Sequence, residues 1–138
     1  MNESQPESAK EYLEKVRFRV EVSELYKVID SCVYDPNNVF CPVLVEIMND
    51  EIIKENDGKK YLLQVWSNQG EMIYERQMDS PVTNWNISTD KFLFQEPLHP
   101  NVLFLVKLEL KKRPTLFELH FPGKKLENLL QDNVVVET

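Results

Sequence analysis

The thiols and imidazoles are the side chains best suited to chemistry in this sequence, and their spacing argues against a catalytic or metal site. Cys32 and Cys41 lie nine positions apart, and His99 and His120 lie twenty-one apart. A zinc site draws about four ligands from convergent spacings, and a cysteine nucleophile needs a histidine base beside it. Both cysteines lie in apolar segments, where burial makes a thiol unreactive. We therefore predict a non-enzymatic protein with no catalytic residues, no metal site and no cofactor.

Other catalytic signatures are also missing from the sequence. Gly58, Gly70 and Gly123 are its glycines, and they are too far apart to form a phosphate-binding loop. The sequence contains no Gly-x-Ser-x-Gly motif, which marks the nucleophile of a serine hydrolase. The neighbouring acids Asp50 and Glu51 lie in a predicted turn, where we expect solvated side chains that point apart.

The charge balance limits the classes of partner. The chain has a formal net charge of −7, so the phosphate backbone of a nucleic acid would repel it and we predict no nucleic-acid partner. No apolar run approaches the ~20 residues that span a bilayer, and no basic-then-apolar leader opens the chain. We expect a cytoplasmic protein, with the nucleus as an alternative, in which Cys32 and Cys41 are reduced. The alternative is a disulfide between them in a secreted domain.

The clearest structural signal is a β-hairpin over Lys59–Met78. Aromatic and aliphatic residues flank a tight turn at Ser67–Gly70, and the glycine stands where a hairpin needs a positive φ. The segment Tyr61–Glu75 resembles hairpins of immunoglobulin-like and fibronectin-like domains, in which a Trp-bearing strand leads into a turn. The resemblance covers about fifteen residues and implies no function. The Cys…Trp…Cys framework of true immunoglobulin domains is absent.

The N-terminal third contains two further patterns. Apolar residues at positions 16, 18, 20 and 22 alternate with charged ones, which predicts a strand with one buried face. Leu25, Val28, Ile29 and Cys32 then follow at helical spacing after Ser23, which predicts a short amphipathic helix, with an extended segment as the alternative.

The remaining segments are mostly extended. Strands are predicted over 39–48, 82–87, 102–111 and 115–121, with Asn49–Glu51 as a turn and Ile52 and Ile53 pairing briefly after it. Phe92–Phe94 is a local apolar cluster. Leu126, Leu129 and Leu130 could form one stripe of a second short helix.

These elements predict a mainly β fold. We expect an antiparallel two-sheet sandwich of the immunoglobulin or fibronectin kind with one or two short helices. The alternative is an α+β curved sheet of the pleckstrin-homology kind. We divide the chain into a disordered lead (1–10), one β-rich domain (11–133) and a C-terminal tail (134–138).

Two groups of residues are candidates for partner binding. Trp66 falls on the less apolar face of its strand, with Ile73 as a cross-strand neighbour, and an exposed tryptophan often anchors an interface. Packing under a loop or helix is the alternative. Lys111, Lys112 and Arg113 form the tip of the last predicted hairpin, where they suit an acidic partner or simply keep the strand end soluble.

The sequence therefore indicates a protein–protein interaction module, such as an adaptor, a complex subunit or a chaperone-like scaffold. Several strands are apolar on both faces, and another protein or a second copy of the chain would cover the second face. The alternative is a domain that binds an anionic small ligand or a phosphoinositide through the basic hairpin tip.

Overall fold

A computed structural model describes residues 9–32, 39–88 and 90–122, which form two helices and eight strands. The helices are α1 (Ala9–Glu21) and α2 (Asp50–Glu55). The strands are β1 (Tyr26–Ser31), β2 (Phe40–Ile47), β3 (Tyr61–Ser67), β4 (Met72–Met78), β5 (Asn84–Ser88), β6 (Lys91–Gln95), β7 (Val102–Lys107) and β8 (Thr115–His120).

The strands form two antiparallel four-stranded sheets, so the predicted two-sheet sandwich is confirmed. The N-terminal sheet has the order β1-β2-β3-β4, and the C-terminal sheet has the order β5-β6-β7-β8. Every pairing joins strands that follow each other in the chain. The two sheets are therefore consecutive meanders, whereas immunoglobulin sandwiches interleave their strands through Greek-key connections.

The inner core lies between the two sheets. Leu63, Val65 and Met78 of the N-terminal sheet face Phe92, Phe94 and Phe104 of the C-terminal sheet in one cluster. The rings of Phe94 and Phe104 stack with centroids 5.0 Å apart, because β6 and β7 place these residues directly opposite each other.

A second core covers the other face of the N-terminal sheet. Helix α1 contributes Tyr12, Val16 and Val20, which recur every four residues and pack against Val43 and Val45 of β2. Strand β2 is consequently buried on both faces over most of its length. This burial explains why its sequence is nearly all apolar rather than alternating.

The predictions for the first third of the chain were wrong in type. The segment 16–22 belongs to α1 rather than to a strand, because only Val16 and Val20 of the alternating residues are buried. The segment after it forms β1 rather than the predicted helix, which agrees with the extended alternative. A register shift between Val28 and Asp30 breaks the alternation of β1, which is why its pattern imitated helical spacing.

Smaller differences affect three other segments. Ile52 and Ile53 lie in α2 rather than in a strand, and the side-chain oxygen of Asn49 caps this helix by accepting the Ile52 N–H at 3.1 Å. The apolar cluster 92–94 is the centre of β6. Helix α1 begins at Ala9, inside the predicted disordered lead 1–10. Residues 1–8, the stripe from Leu126 to Leu130 and the tail 134–138 lie outside the described residues.

One ion pair joins the two sheets at the rim of the inner core. The Nε of Arg76 on β4 donates to Oε1 of Glu96, just after β6, at 2.5 Å. The Arg76 guanidinium also lies 4.5 Å from the centroid of the Phe104 ring. Burial disfavours the charged guanidinium, but the hydrogen bond and charge of Glu96 outweigh it and raise the pKa of Arg76.

A pair of matched substitutions tests the helical assignment of α1. Val16 is 2% exposed and Val22 is 64% exposed, whereas a strand would bury both. We expect Val16→Ala to lower the free energy of unfolding by about 1–2.5 kcal/mol and Val22→Ala to change it by less than about 0.5 kcal/mol. Urea denaturation followed by circular dichroism measures both values. Equal losses would contradict the helix.

The inter-sheet ion pair predicts strong coupling in a double-mutant cycle. Either Arg76→Met or Glu96→Gln alone leaves a charged partner at a buried rim, so each should lower the free energy of unfolding by about 2–4 kcal/mol. The double variant should lose clearly less than the sum, with a coupling of more than about 1 kcal/mol. Additive losses would show that the two side chains act independently.

Candidate partner-binding groove

Helix α1 covers only part of its face of the N-terminal sheet. A four-stranded sheet is roughly 19 Å wide and a helix about 10 Å across, so one helix cannot cover all of it. Leu62 and Gln64 of β3 are still buried on this side, and the exposed part lies over β4. Val16 and Val20 seat α1 over β1 and β2, where they share a cluster with Val28 and Val43. A groove remains between α1 and the β3–β4 hairpin, and we call it the α1 groove.

The α1 groove contains two neighbouring cavities. One, of about 550 Å³, lies between α1 and the β3–β4 turn, and its lining includes Phe18 and Asn68. The other, of about 330 Å³, lies over β3 and β4, and its lining includes Val22, Trp66 and Met72. Arg19 lines both cavities, so they lie next to each other along α1.

Three large apolar side chains around the groove are exposed. Phe18 is 70% exposed, Val22 is 64% exposed and Met72 is 44% exposed. Phe18 and Val22 are four residues apart on α1 and therefore project on one side of the helix. Apolar side chains clustered beside a concave surface are typical of a site that another molecule covers.

A chain of hydrogen bonds orders the floor of the groove. The indole N–H of Trp66 donates to Oε1 of Gln64 at 3.0 Å, and Nε2 of Gln64 donates to Oε2 of Glu75 at 2.9 Å. The polar edge of the tryptophan is thus satisfied within the sheet, and its half-buried ring can offer an apolar surface without leaving a buried donor unpaired.

Two further hydrogen bonds tie α1 to the hairpin. The hydroxyl of Tyr12 donates to the backbone oxygen of Trp66 at 2.7 Å, and Nη1 of Arg19 donates to the backbone oxygen of Gly70. Gly70 has a φ of 80°, a conformation that costs a glycine little and other residues more. These contacts fix the walls of the groove relative to each other before any partner arrives.

The sequence-predicted partner residues do not form one site. Trp66 lies in the α1 groove. Ile73 instead packs against the inner core, at the point where a register shift pairs Trp66 with Met72. Lys111, Lys112 and Arg113 are exposed in the turn between β7 and β8 of the other sheet, and Lys112 lies 3.3 Å from Glu109.

Sequence reasoning missed three contributors to the groove. The alternation at positions 16–22 predicts a strand that buries Phe18 and Val22, and the hairpin signal alone does not indicate that Met72 is exposed. The recurrence of apolar residues at 12, 16 and 20 fits a helix with Phe18 and Val22 off its buried stripe, but it competes with the alternation at 16, 18, 20 and 22, which fits a strand equally well.

The two cysteines lie at one end of the N-terminal sheet, Cys32 packed against the inner core and Cys41 in the core beneath α1. Both are present as thiols, and the Cys32 N–H donates to the backbone oxygen of Pro42 at 3.0 Å. Burial and, secondarily, the neighbouring Cys32 raise the pKa of Cys41 from 9.0 to about 12. Cys41 is therefore a poor nucleophile at neutral pH.

This pKa predicts unequal thiol reactivity. At pH 8 a pKa of about 12 leaves Cys41 with about a thousandfold less thiolate than its usual pKa of 9.0 would. Because Cys41 is also 4% exposed whereas Cys32 is half-buried, a thiol-specific reagent should modify the more accessible Cys32 well before Cys41. Both should react after unfolding. Equal rates of modification of Cys32 and Cys41 in the native protein would contradict the burial of Cys41.

The raised pKa of Cys41 also predicts a dependence of stability on pH. As pH rises from 9 towards 12, the unfolded Cys41 thiol ionises before the folded one, so the free energy of unfolding should fall across that window.

Comparison with known proteins adds no further assignment to this geometry. Among residues 9–32, 39–88 and 90–122, no three His, Cys, Asp or Glu residues form a group that could hold a metal ion. No helix in those ranges is long and apolar enough to cross a bilayer. The chain matches no protein-family model, no curated protein and no solved structure.

Proposed function

We propose that this protein is a non-enzymatic interaction module, an adaptor or complex subunit, that binds an amphipathic helix of a partner protein in the α1 groove. The observation that carries the proposal is the exposure of Phe18, Val22 and Met72 around two cavities whose lining includes Trp66. Such a surface is costly to leave in water and favourable to cover.

A helix can dock along the groove beside α1. Leu62 and Gln64 of β3 are already buried, at 6% and 7% exposed, so the open part of this face lies over β4, and helices pack side by side at 8–10 Å. A bound helix would lie beside α1 on the same face of the N-terminal sheet. It would contact Phe18 and Val22 from the side and Trp66 and Met72 from above.

The energetics favour a few strong contacts. Complete burial of a side chain such as Val, Met or Phe contributes about 1.5–3 kcal/mol. Three such side chains can therefore offset part of the free-energy cost of association. Apolar residues spaced i, i+3, i+4 and i+7 on the partner helix would meet them. Arg19 and Glu75 flank the groove with opposite charges, which would select the orientation of the partner.

The alternative function, binding of an anionic ligand at Lys111, Lys112 and Arg113, has weaker support. The three side chains are exposed, but Lys112 already pairs with Glu109. Exposed charges of this kind are as well explained by solubility. Charge reversal at Lys111 and Arg113 combined with a sedimentation assay on phosphoinositide vesicles tests this function separately.

Site-specific photo-crosslinking tests the groove. A benzoylphenylalanine at position 18 replaces Phe18 with a similar side chain, and a second one at position 72 probes the opposite wall. Irradiation in extracts of the source cells should give adducts at both positions, and mass spectrometry should place them on one partner peptide with helical apolar spacing. Adding the purified native chain should compete, whereas a Val22→Ala/Met72→Ala chain should compete at least tenfold less well.

The matched control carries the same photoprobe at Leu98, which is also 64% exposed but lies outside the groove, in the loop between β6 and β7. Circular dichroism and thermal unfolding establish that each variant is folded. If positions 18 and 72 yield no more adduct than position 98, or yield adducts with unrelated peptides, the α1 groove is not a docking site for one partner.

A further inference from the structure

We propose that residues 124–134, which follow β8 in the chain, form a helix that packs across the outer face of the C-terminal sheet. The outer face is the side of β5–β8 that points away from the inner core. The proposal goes beyond the α1 groove, which lies on the N-terminal sheet. It rests on two buried leucines of β7, on a pair of lysines at one end of the same face and on the apolar pattern of the C-terminal residues.

Two leucines of β7 are fully buried on the side away from the inner core. The even-numbered residues of this strand, 102–106, belong to the inner core. Leu103 and Leu105 therefore point to the outer face, because side chains alternate along a strand. Both leucines are 0% exposed within the single chain. A sheet face that is open to water leaves such side chains partly accessible, so another part of the chain covers the centre of the outer face.

No described helix or strand supplies this cover. Among residues 9–32, 39–88 and 90–122, α1 packs on β1 and β2, α2 packs on β2, and all eight strands belong to the two sheets. The turns before and after β7 contain the exposed runs 97–101 and 110–113. The cover therefore comes from a segment outside the described residues.

The buried centre of the outer face is about as wide as one helix. Gln95 of β6 is 3% exposed on this face. Phe117 of β8, which pairs with Leu105, is 37% exposed, and Asn86 of β5, which pairs with Leu93, is exposed as well. The burial thus spans two neighbouring strands, or roughly 10 Å, which is the diameter of a helix. A second sheet would bury the edge strands too.

The C-terminal segment can reach the outer face. Residues 123–138 follow β8, and Pro122-Gly123 is a dipeptide typical of a turn. Residues 1–8 precede α1, which both sheets separate from the outer face. At about 10 Å for each layer that distance is about 30 Å, and eight extended residues span at most about 29 Å. Residues 33–38 join β1 to β2 of the other sheet, so they extend out and back by only about 10 Å.

The sequence of the C-terminal segment has one apolar stripe. Its apolar residues recur at the helical spacing i, i+3, i+4 and i+8, and they are Leu126, Leu129, Leu130 and Val134. As a helix, residues 124–134 would be about 16 Å long, close to the roughly 20 Å of a six-residue strand. This helix would cover Leu103 and Leu105 with its apolar stripe and keep its polar side in water.

A like-charge pair on the outer face supports the same placement. Lys91 of β6 and Lys107 of β7 lie directly opposite each other, an arrangement that is unfavourable without a nearby acid. The C-terminal segment leaves β8 at the other end of this face, where β8 ends and β7 begins. A helix that returns along β7 therefore brings its later acids, Asp132 and Glu137, towards the two lysines.

A matched pair of substitutions tests the apolar stripe. Leu129→Asp places a charge in the proposed contact, whereas Asn128→Asp adds the same charge one residue away, on the polar side of the helix. Leu129→Asp should lower the Tm by at least about 5 °C, and Asn128→Asp should change it by less than about 2 °C. Thermal unfolding followed by circular dichroism measures both values. Equal shifts would overturn the proposal.

Paramagnetic broadening in NMR spectra locates the segment while its stripe is intact. A nitroxide is attached at Asn128→Cys in a Cys32→Ser background, in which the remaining Cys41 is buried and its thiol has a raised pKa. The backbone amide signals of Leu105 and Phe117 on the C-terminal sheet should broaden. The amide signals of α1 and β4 around the α1 groove should keep their width.

Each other outcome overturns the proposal. Broadening at Phe18 and Met72 instead would place the segment in the α1 groove, and weak broadening without preference for either sheet would show that it packs on neither. A mixture of spin-labelled chain with isotope-labelled chain that carries no nitroxide detects contact between molecules. Broadening of Leu105 in that mixture would show that another copy supplies the cover, whereas unchanged signals support a cover within one chain.

Discussion

The N-terminal sheet packs against other elements on both of its faces. The arrangement of the rest of the molecule depends on this constraint. One face packs on the C-terminal sheet and the other on α1 and α2. Burial on both faces removes the alternation that normally identifies a strand, so β2 is almost continuously apolar. It also requires a cover on the helical side. Because α1 is narrower than the sheet, the cover is incomplete, and the α1 groove is the part that remains.

How much the sequence reveals depends on whether local and tertiary signals agree. The hairpin of β3 and β4 was predictable because turn chemistry at Ser67–Gly70 and apolar flanks point to one structure. Helix α1 was not predictable in the same way. The apolar residues at 16, 18, 20 and 22 fit the period of a strand, while those at 12, 16 and 20 fit the period of a helix. The half-exposed position of Trp66 was predictable from its parity. The exposure of Met72 depends on how far α1 covers the sheet, and the inward position of Ile73 depends on a register shift. No local sequence pattern indicates the exposure of Met72 or the inward position of Ile73.

The consecutive order of the strands has a consequence for the nascent protein. All of the N-terminal sheet is translated before any of the C-terminal sheet, since β4 ends at Met78 and β5 begins at Asn84. At about 5–20 residues per second, the ribosome needs roughly 2–8 s to add the residues from Met78 to His120. During that interval Leu63 and Val65 have no opposing sheet to pack against. The inner face of the N-terminal sheet is then an exposed hydrophobic surface. The order of the strands therefore delays closure of the inner core until the C-terminal sheet has been translated.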